Sequence, residues 1–371
     1  MKNNVFYVII VSLLLIGCGG SDEDIAPPNN NGNSGNSGGN GSGNNSNNEW
    51  LIPIDEVRDG GPGKDGIPSI DSPSFALSNS AQSAFLNDSD LIVGLVNGNI
   101  ARAYPYPIMN WHEIVNDRIN GERISISYCP LTGTSFGWKS IVDGVNTTFG
   151  VSGLLYNTNL ILYDRLTDSN WSQLALLCVN GEQISDKPDL VQVVETTWGF
   201  WKLLYPNTEV MTTETGFTRD YDYYPYGDYR TNHDFFLFPV TPTNNAIPNK
   251  ERVFAIINNN ASKVYQFDAF GSGSVIKEQF NGKEYLIVGS GELIVGFELE
   301  PANRDLTFIY ELVSSSNDTT LFTDNEGNKW SVHGKAISGP RQGQSLKIAK
   351  SVMSYWFAIA AFYPNPEIYS N

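Results

Sequence analysis

Residues 91–106 read LIVGLVNGNIARAYPY, and residues 251–267 read ERVFAIINNNASKVYQF, with Tyr104 and Tyr265 at matching places in the two stretches. Each stretch has two largely apolar runs that flank a polar turn. The Asn-Gly pair in the first stretch readily takes the positive φ angles of a hairpin turn. The two stretches therefore predict one β-hairpin that occurs twice in the chain.

The likeness continues beyond this hairpin at an almost constant spacing. Further matches follow in the same order: Asn120-Gly121 with Asn281-Gly282, Phe136 with Phe297, Trp171 with Trp330, Trp198 with Trp356, and Pro206 with Pro364. An ordered series of this kind predicts an internal duplication.

The predicted fold is mainly β (α+β): an internally duplicated β-rich unit with one or two short helices per copy, in a pseudo-twofold arrangement. Each copy ends with an aromatic, helix-like segment that stops before a proline. Repeat unit 1 covers residues 89–212 and repeat unit 2 covers residues 251–371. A tyrosine-rich join, residues 213–250, connects them, and an N-terminal extension, residues 49–88, comes before them.

The N-terminus has the pattern of a secretory signal peptide over residues 1–17, with one basic residue before an apolar run. That run is shorter than the roughly 17 to 25 residues that a membrane-spanning helix needs. Cys18 follows at the cleavage point and resembles the lipobox cysteine of bacterial lipoproteins. The resemblance implies a lipid anchor at Cys18 and a place in the bacterial cell envelope, at the outer membrane. A plain secreted protein is the alternative.

The next segment, through residue 48, predicts a disordered tether, because residues 27–48 contain only Pro, Asn, Gly and Ser. An acidic cluster at residues 21–24 is typical either of a surface-export tag or of an ordinary solvated run. The whole chain has 40 Asp and Glu against 23 Lys and Arg, a formal net charge of −17. This charge repels phosphate backbones, so nucleic acid is excluded as a partner, and a small-molecule or protein partner stays unspecified.

Two thiols remain after Cys18, and in an oxidising compartment they either pair, bind metal or stay buried. Cys129 ends a strand-like run and is held by Pro130, while Cys178 lies in an apolar run that predicts a buried strand. Thr132 offers a hydroxyl that would hydrogen-bond a thiolate at Cys129 and lower its pKa. Cys129 is therefore either a reactive thiol or a small buried hydrophobic residue. The duplication places Ser290 opposite it, so only the first copy carries the sulfur.

His112 is the candidate partner of Cys129. The two predict a thiolate–imidazole pair with His112 as base, or half of a copper or zinc site, with His112 and Cys129 about 3 to 4 Å apart. Glu113, His233 and Cys178 are available as further ligands. A structural histidine is the alternative.

The join contains TGFTRDYDYYPYGDYR at residues 215–230, which mixes tyrosines with acidic residues. It predicts either a site for a sugar or cation, or a cap over the seam between the copies. The alternative function is accordingly a non-catalytic module that binds a glycan or a partner. Serine-hydrolase, zinc-protease and nucleotide-binding motifs are missing from the sequence, which argues against those classes.

Nine motifs together resemble one family: DGIPSID (65–71), ARAYP (101–105), NWHEIVND (110–117), YCPLTG (128–133), FGVSGLLYN (149–157), YDRLTDSNWSQ (163–173), TTWGFW (196–201), TGFTRDY (215–221) and WFAIAAFYP (356–364). The chain resembles the domain-of-unknown-function 3179 (DUF3179) family, whose members are bacterial and archaeal, often exported, and without an assigned reaction. Many members have Cys-Pro-Leu-Cys where this chain has Cys129-Pro-Leu-Thr132. The resemblance implies a one-cysteine mechanism, or a metal site with one thiolate fewer.

Overall fold

Strands make up most of the regular structure in this computed structural model, which describes residues 49–314 and 319–370. The first part of the chain contains these strands: β1 (Val57–Asp59), β2 (Phe75–Leu77), β3 (Leu91–Asn97), β4 (Ile100–Pro105), β5 (Ile114–Ile119), β6 (Glu122–Cys129), β7 (Thr134–Lys139), β8 (Ile141–Val142), β9 (Val145–Asn146), β10 (Phe149–Tyr156), β11 (Asn159–Asp164), β12 (Asn170–Ser172), β13 (Leu177–Asn180), β14 (Leu190–Val191), β15 (Val194–Thr197) and β16 (Glu209–Met211).

The later part contains these strands: β17 (Arg252–Asn258), β18 (Ala261–Gln266), β19 (Ser274–Phe280), β20 (Lys283–Gly289), β21 (Ile294–Glu298), β22 (Phe308–Val313), β23 (Thr320–Asp324), β24 (Lys329–Trp330), β25 (Ala336–Ser338), β26 (Lys347–Ile348), β27 (Ser351–Tyr355) and β28 (Glu367–Ile368). The α-helices of the described residues are α1 (Tyr106–His112), α2 (Trp198–Leu204) and α3 (Trp356–Phe362). The prediction of a mainly β fold with short helices is confirmed.

The strands of β1–β16 pair only among themselves, and so do those of β17–β28; these two groups are called the first half and the second half. In the first half the three main sheets have the orders β1-β10-β11-β12-β13, β14-β7-β6-β5 and β15-β3-β4-β16-β2. In the second half the orders are β22-β23-β24-β25, β19-β20-β21-β26 and β27-β17-β18-β28. A small hairpin of β8 and β9 completes the first half.

The order of pairing is the same in both halves, apart from the extra edge strands β1 and β2. Among these strands, each half has one parallel pair: β4 with β16 in the first half and β18 with β28 in the second. A register shift between Val151 and Leu154 also has a counterpart between Tyr310 and Val313. Descent of the two halves from one copied unit, and a twofold relation between them, stay predictions.

Two Asn-Gly pairs form hairpin turns as predicted, whereas in the pair Asn97-Gly98 only Gly98 has a positive φ (60°), because Asn97 is the last residue of β3. Asn120 and Gly121 connect β5 to β6 with φ angles of 50° and 87°. Asn281 and Gly282 connect β19 to β20 with φ angles of 45° and 78°. Asparagine and glycine tolerate positive φ better than other residues, so this turn is fixed by local sequence.

The helices place large aromatic rings in the core. Trp198, Trp201 and Trp356 are all 2% exposed or less. Both α2 and α3 end two residues before a proline. The tyrosine between the last helical residue and the proline donates its backbone N–H to a carbonyl oxygen of the helix. One hydrophobic cluster contains residues of both halves, including Trp171 from the first and Trp356 from the second. The halves therefore share a core.

The predicted signal peptide, Cys18 and the tether lie outside the described residues. None of the helices in residues 49–314 and 319–370 is long and apolar enough to span a membrane.

Candidate functional site

The corner between α1 and β5 is formed by Glu113, which has a φ of 56° and a ψ of −33°. Its backbone N–H donates to Met109 O (2.9 Å), and its carbonyl accepts from the N–H of Tyr128 (2.7 Å). A non-glycine residue in such a conformation costs on the order of 1–3 kcal/mol and persists only where its surroundings fix it. Backbone strain at a buried carboxyl residue makes this corner a candidate site.

The Glu113 side chain is 6% exposed and hydrogen-bonds to the hydroxyl of Tyr226 in the join. Burial raises the pKa of Glu113 to about 8, although the Tyr226 hydrogen bond acts in the opposite direction. At neutral pH Glu113 is thus mostly a protonated acid, which donates a hydrogen bond.

Cys129 is the last residue of β6 and is 1% exposed. Its Sγ lies 3.7 Å from the carbonyl oxygen of Thr158, to which the thiol donates. Burial, and then the nearby charge of Glu113, raise the pKa of Cys129 to about 11. Cys178 is also a free, buried thiol, and burial raises its pKa to about 12, so the two cysteines do not form a disulfide.

Tyrosines of the join cover this region. The hydroxyl of Tyr229 donates to Leu131 O (3.0 Å), and the rings of Tyr224 and Tyr226 lie 5.6 Å apart. The Tyr224 hydroxyl is buried and has no hydrogen-bond partner within residues 49–314 and 319–370. A buried polar atom without a partner is uncommon and marks a place where a further group would be stabilised.

Lys250 holds the join in this position. Its ammonium donates to the carbonyl oxygens of Tyr229 (3.2 Å), Asn232 (3.3 Å) and Phe235 (2.6 Å) and lies 3.6 Å from the centre of the Tyr229 ring. Burial lowers the pKa of Lys250 to about 8. Three carbonyl acceptors therefore fix the loop that brings Tyr224 and Tyr226 to the Cys129 side of the first half.

An apolar cavity of about 270 Å³ reaches Glu113 and Tyr226. Its walls come from three parts of the chain, namely the extension (Gly60, Pro62, Ile67), the first half (Leu131, Val151, Gly153, Leu154, Leu155, Leu160) and the join (Leu237, Phe238). A cavity of roughly 150 Å³ is sufficient to bind benzene. The site is thus an apolar chamber with one carboxylic acid and one phenol at its polar end.

His112 is directed elsewhere. Its Nδ1 lies 2.8 Å from Pro68 O, and its Nε2 lies 2.8 Å from the hydroxyl of Tyr221. Burial lowers the pKa of His112, while the hydrogen bond to Pro68 opposes that effect. Both ring nitrogens have partners, and among the described residues His112 makes no hydrogen bond to Cys129. The structure does not bring the predicted pair together. Glu113, the residue after His112, is instead the nearby charged group that raises the pKa of Cys129.

Thr132 belongs to a buried polar network. Its hydroxyl lies 2.9 Å from that of Thr134 and accepts a hydrogen bond from Asn159 Nδ2 (2.8 Å). A hydrogen bond from Thr132 also lowers the pKa of Cys129, as predicted, but burial outweighs it. Thr132 therefore lies next to the sulfur without producing a thiolate.

The predicted metal ligands do not converge. Within the described part of the chain, no three His, Cys, Asp or Glu residues lie close enough together to hold a metal ion. His233 accepts a hydrogen bond from the backbone N–H of Lys250 (3.0 Å), in the join. The copper or zinc site stays a hypothesis without a ligand set in this structure.

A family model described as "Protein of unknown function (DUF3179)" matches residues 64–366, which is most of the chain. The chain belongs to the DUF3179 family. The predicted resemblance is confirmed. Neither the curated proteins nor the solved structures contain a match to this DUF3179 chain.

Two residues of this DUF3179 site were not predicted from the sequence. The sequence offers Glu113 only as a further metal ligand, and Tyr226 is one of many tyrosines in the join. A usable signal for Glu113 is that, at the spacing of the hairpin match, Ser274 stands at the corresponding place in the second half. An acid kept at a buried corner in one half alone is a candidate for function.

Proposed function

We propose that this protein binds a small ligand with an apolar body and a hydrogen-bond-accepting head in the cavity at Glu113. One observation carries the proposal: a carboxyl group that is 6% exposed is held at a strained corner, at the end of an apolar cavity of about 270 Å³. Ligand sites are usually apolar chambers with a few converging polar groups.

The chemistry of the polar end selects the head group. Glu113, with a pKa of about 8, donates a hydrogen bond at neutral pH, so it suits a carbonyl, ether or hydroxyl oxygen. The aliphatic walls favour a ring or short chain, since burial of apolar surface contributes roughly 25 cal/mol per Å².

The geometry supports binding better than thiol redox chemistry. A cysteine with a pKa of about 11 is almost entirely protonated at pH 7, whereas the thiolate is the reactive form. In this proposal Cys129 packs beside the polar end of the cavity. The tryptophans give a glycan site little support, because Trp138 and Trp171 are 0% and 4% exposed, while Trp111 is half-buried and donates from Nε1 to Tyr223 O (3.2 Å).

The test uses a matched pair of probes, acetophenone and isopropylbenzene, which share size and shape but differ in the carbonyl. Binding would be measured by ligand-observed NMR at pH 6 and at pH 9.5. The wild-type protein should prefer acetophenone at pH 6 and lose much of that preference at pH 9.5, where Glu113 is ionised and no longer donates.

Three variants separate the contributions. Glu113→Leu should remove the preference for acetophenone, because the donor is lost. Glu113→Gln should keep a preference and lose its pH dependence, because an amide donates at both pH values. Glu182→Gln, at an exposed glutamate of the first half, should behave as wild type. Equal binding of both probes by wild type and Glu113→Leu would refute the proposal.

We also propose that Cys18 carries a lipid and anchors the protein in the cell envelope. The signal-like N-terminus and the lipobox-like position of Cys18 support it. Cys18→Ser, expressed in a Gram-negative bacterium, should move the protein from the detergent phase to the aqueous phase of a Triton X-114 partition. Retention in the detergent phase would contradict lipidation.

A further inference from the structure

Two adjoining cavities lie between the halves, away from the Glu113 cavity. They measure about 380 Å³ and 600 Å³. Both are lined by Leu176 and Lys187 of the first half and by Lys350 of the second half. These three residues mark the junction of one continuous groove, which is called the seam groove.

Two lysines of the seam groove, Lys187 and Lys350, lack an acidic partner among the described residues, whereas the third, Lys283, pairs with Glu298. Neither Lys187 nor Lys350 forms an ion pair with a carboxylate within residues 49–314 and 319–370. Acids were available, since the chain has 40 of them against 23 Lys and Arg. Both lysines are exposed to solvent. Partial desolvation at the groove wall, and then the charge of Lys187, lower the pKa of Lys350, so the two ammonium groups repel each other.

The acid that lines the seam groove is already neutralised. Glu298 lies 2.8 Å from the ammonium of Lys283, which also lines the groove, and 3.0 Å from that of Lys347. The Glu298 carboxylate therefore does not balance the Lys187–Lys350 pair. The groove is electropositive on a protein whose net charge is strongly negative.

Apolar surface extends from the lysine pair in both directions. The smaller cavity continues along Phe136, Val191 and Ile348, and the larger one along Leu177 and Phe362. A ligand with its charge at the junction would place its apolar part on one of these walls. This combination fits an amphipathic anion better than an inorganic ion.

The lysine pair is not part of the pattern that the two halves share. β14 and β26 occupy matching places, which sets Lys187 opposite Gln344 and Lys350 opposite Val193. Each half therefore contributes one lysine from a position where the other half has none. The pair exists only because the halves meet at the groove.

We propose that the seam groove binds an organic anion, with its carboxylate or phosphate head between Lys187 and Lys350 and its apolar tail on the adjoining wall. The ammonium groups supply charge-assisted hydrogen bonds to the anion, and the anion relieves the repulsion between them. The site is independent of the Glu113 cavity in both position and charge.

The experiment is isothermal titration calorimetry of the full chain at pH 7 and low salt. The probes are octanoate, octyl phosphate, inorganic phosphate and octanol, below micelle-forming concentrations. Wild type should bind octanoate or octyl phosphate, or both, more tightly than octanol, and stronger binding of one of the two anions identifies the preferred head. Inorganic phosphate should bind weakly, because it lacks the tail.

Matched variants decide the outcome. Lys187→Gln and Lys350→Gln should each weaken anion binding about tenfold and leave octanol binding unchanged, since a hydrogen bond to a charged group is lost. Lys329→Gln, at an exposed lysine of β24, should have no effect. Glu113→Leu should also have no effect, which separates this site from the Glu113 cavity. Unchanged affinity in the Lys187→Gln/Lys350→Gln double variant, or no anion binding by wild type, would overturn the proposal.

Discussion

The first half and the second half have the same order of strand pairing but different corners after their opening hairpins. In the first half the chain forms α1 and then turns through Glu113 at positive φ. In the second half the chain forms a short 3₁₀ turn, Phe267–Ala269, and then enters β19 at Ser274. The candidate site belongs to the corner that differs.

Shared features of the halves hold the fold together. Trp171 Nε1 donates to Asp164 (2.9 Å) in the first half, and Trp330 Nε1 donates to Asp324 (2.9 Å) in the second. Where the second half has Ser290, the first half has Cys129, whose pKa is influenced by Glu113. The comparison teaches that the Trp–Asp contact recurs in both halves, whereas Glu113 and Cys129 have no like residue in the second half.

The largest expected effect sharpens this comparison through pH. The pKa of Glu113 is about 8 in the folded protein and has its ordinary value of 4.5 when the chain unfolds. Between these values the unfolded chain has released the proton and the folded chain has not, so stability falls as pH rises. Relative to Glu113→Gln, wild type should lose roughly 4 kcal/mol of unfolding free energy between pH 4.5 and 8, at up to about 1.4 kcal/mol per pH unit.

Urea denaturation at closely spaced pH values measures this difference. Below about pH 3.5 and above about pH 9 the two curves should run parallel, because each titration extends about one pH unit beyond its pKa. Glu182→Gln controls for the loss of a glutamate at an exposed position. A constant difference in unfolding free energy between wild type and Glu113→Gln from pH 4.5 to 9 would show that Glu113 titrates normally. The corner at Glu113 would then have no unusual acid.

The next effect tests whether the two halves use the same scaffold. Asp164 accepts from the backbone N–H of Thr167 (2.7 Å) and from Trp171, and Asp324 accepts from the N–H of Asn328 (3.0 Å) and from Trp330. Asp164→Ala and Asp324→Ala each leave several buried donors without partners, at about 1–3 kcal/mol per group. Both should lose about 3 kcal/mol of unfolding free energy in urea.

Asn substitutions at the same two positions are the controls, because an amide oxygen keeps one acceptor, and they should lose less than the Ala variants. Matching losses in the two halves would support a common scaffold role. A loss below about 1 kcal/mol in one half alone would show that Asp164 and Asp324 do not have the same scaffold role.

Much of the scaffold follows from local sequence. The turns at Asn120-Gly121 and Asn281-Gly282 have the positive φ angles that their residue types predict. Helices α2 and α3 end before Pro206 and Pro364, since proline restricts the residue that precedes it. These features depend on near neighbours and are therefore readable.

The site depends on distant contacts, and the sequence predicted it only in part. The sequence identifies Cys129 and shows that the second half has a serine in its place, but it predicts His112 as the partner of Cys129. The direction of the Glu113 side chain depends on its positive φ, which is an unusual conformation for glutamate and has no local signature. The cavity walls also come from the extension and the join, which local patterns do not bring together.

A smaller effect compares the two corners directly. At pH 5, where the carboxyl is protonated, Glu113→Gly should be about 1 kcal/mol more stable than Glu113→Ala, because both remove the side chain and only glycine adopts positive φ without strain. At Ser274, the matching place in β19, the order should reverse, with Ser274→Gly about 0.5–1 kcal/mol less stable than Ser274→Ala, because glycine weakens a strand. Thermal or urea unfolding distinguishes the two orders. The same order at both positions would show that the backbone at Glu113 is not strained.

A last pair of substitutions exchanges the residues at the matching strand ends. Cys129 lies in the hydrophobic core, so Cys129→Ser should cost about 1–2 kcal/mol through burial of a hydroxyl, and Ser290→Cys should cost less than about 1 kcal/mol. The same samples report on thiol chemistry. In native wild type at pH 7, Cys129 should react with a disulfide reagent only as fast as the protein opens, because a buried thiol with a pKa of about 11 has almost no thiolate. Reaction of Cys129 at the rate of an exposed thiol, with the Cys178→Ala variant used to assign it, would return the advantage to the redox hypothesis over the binding cavity.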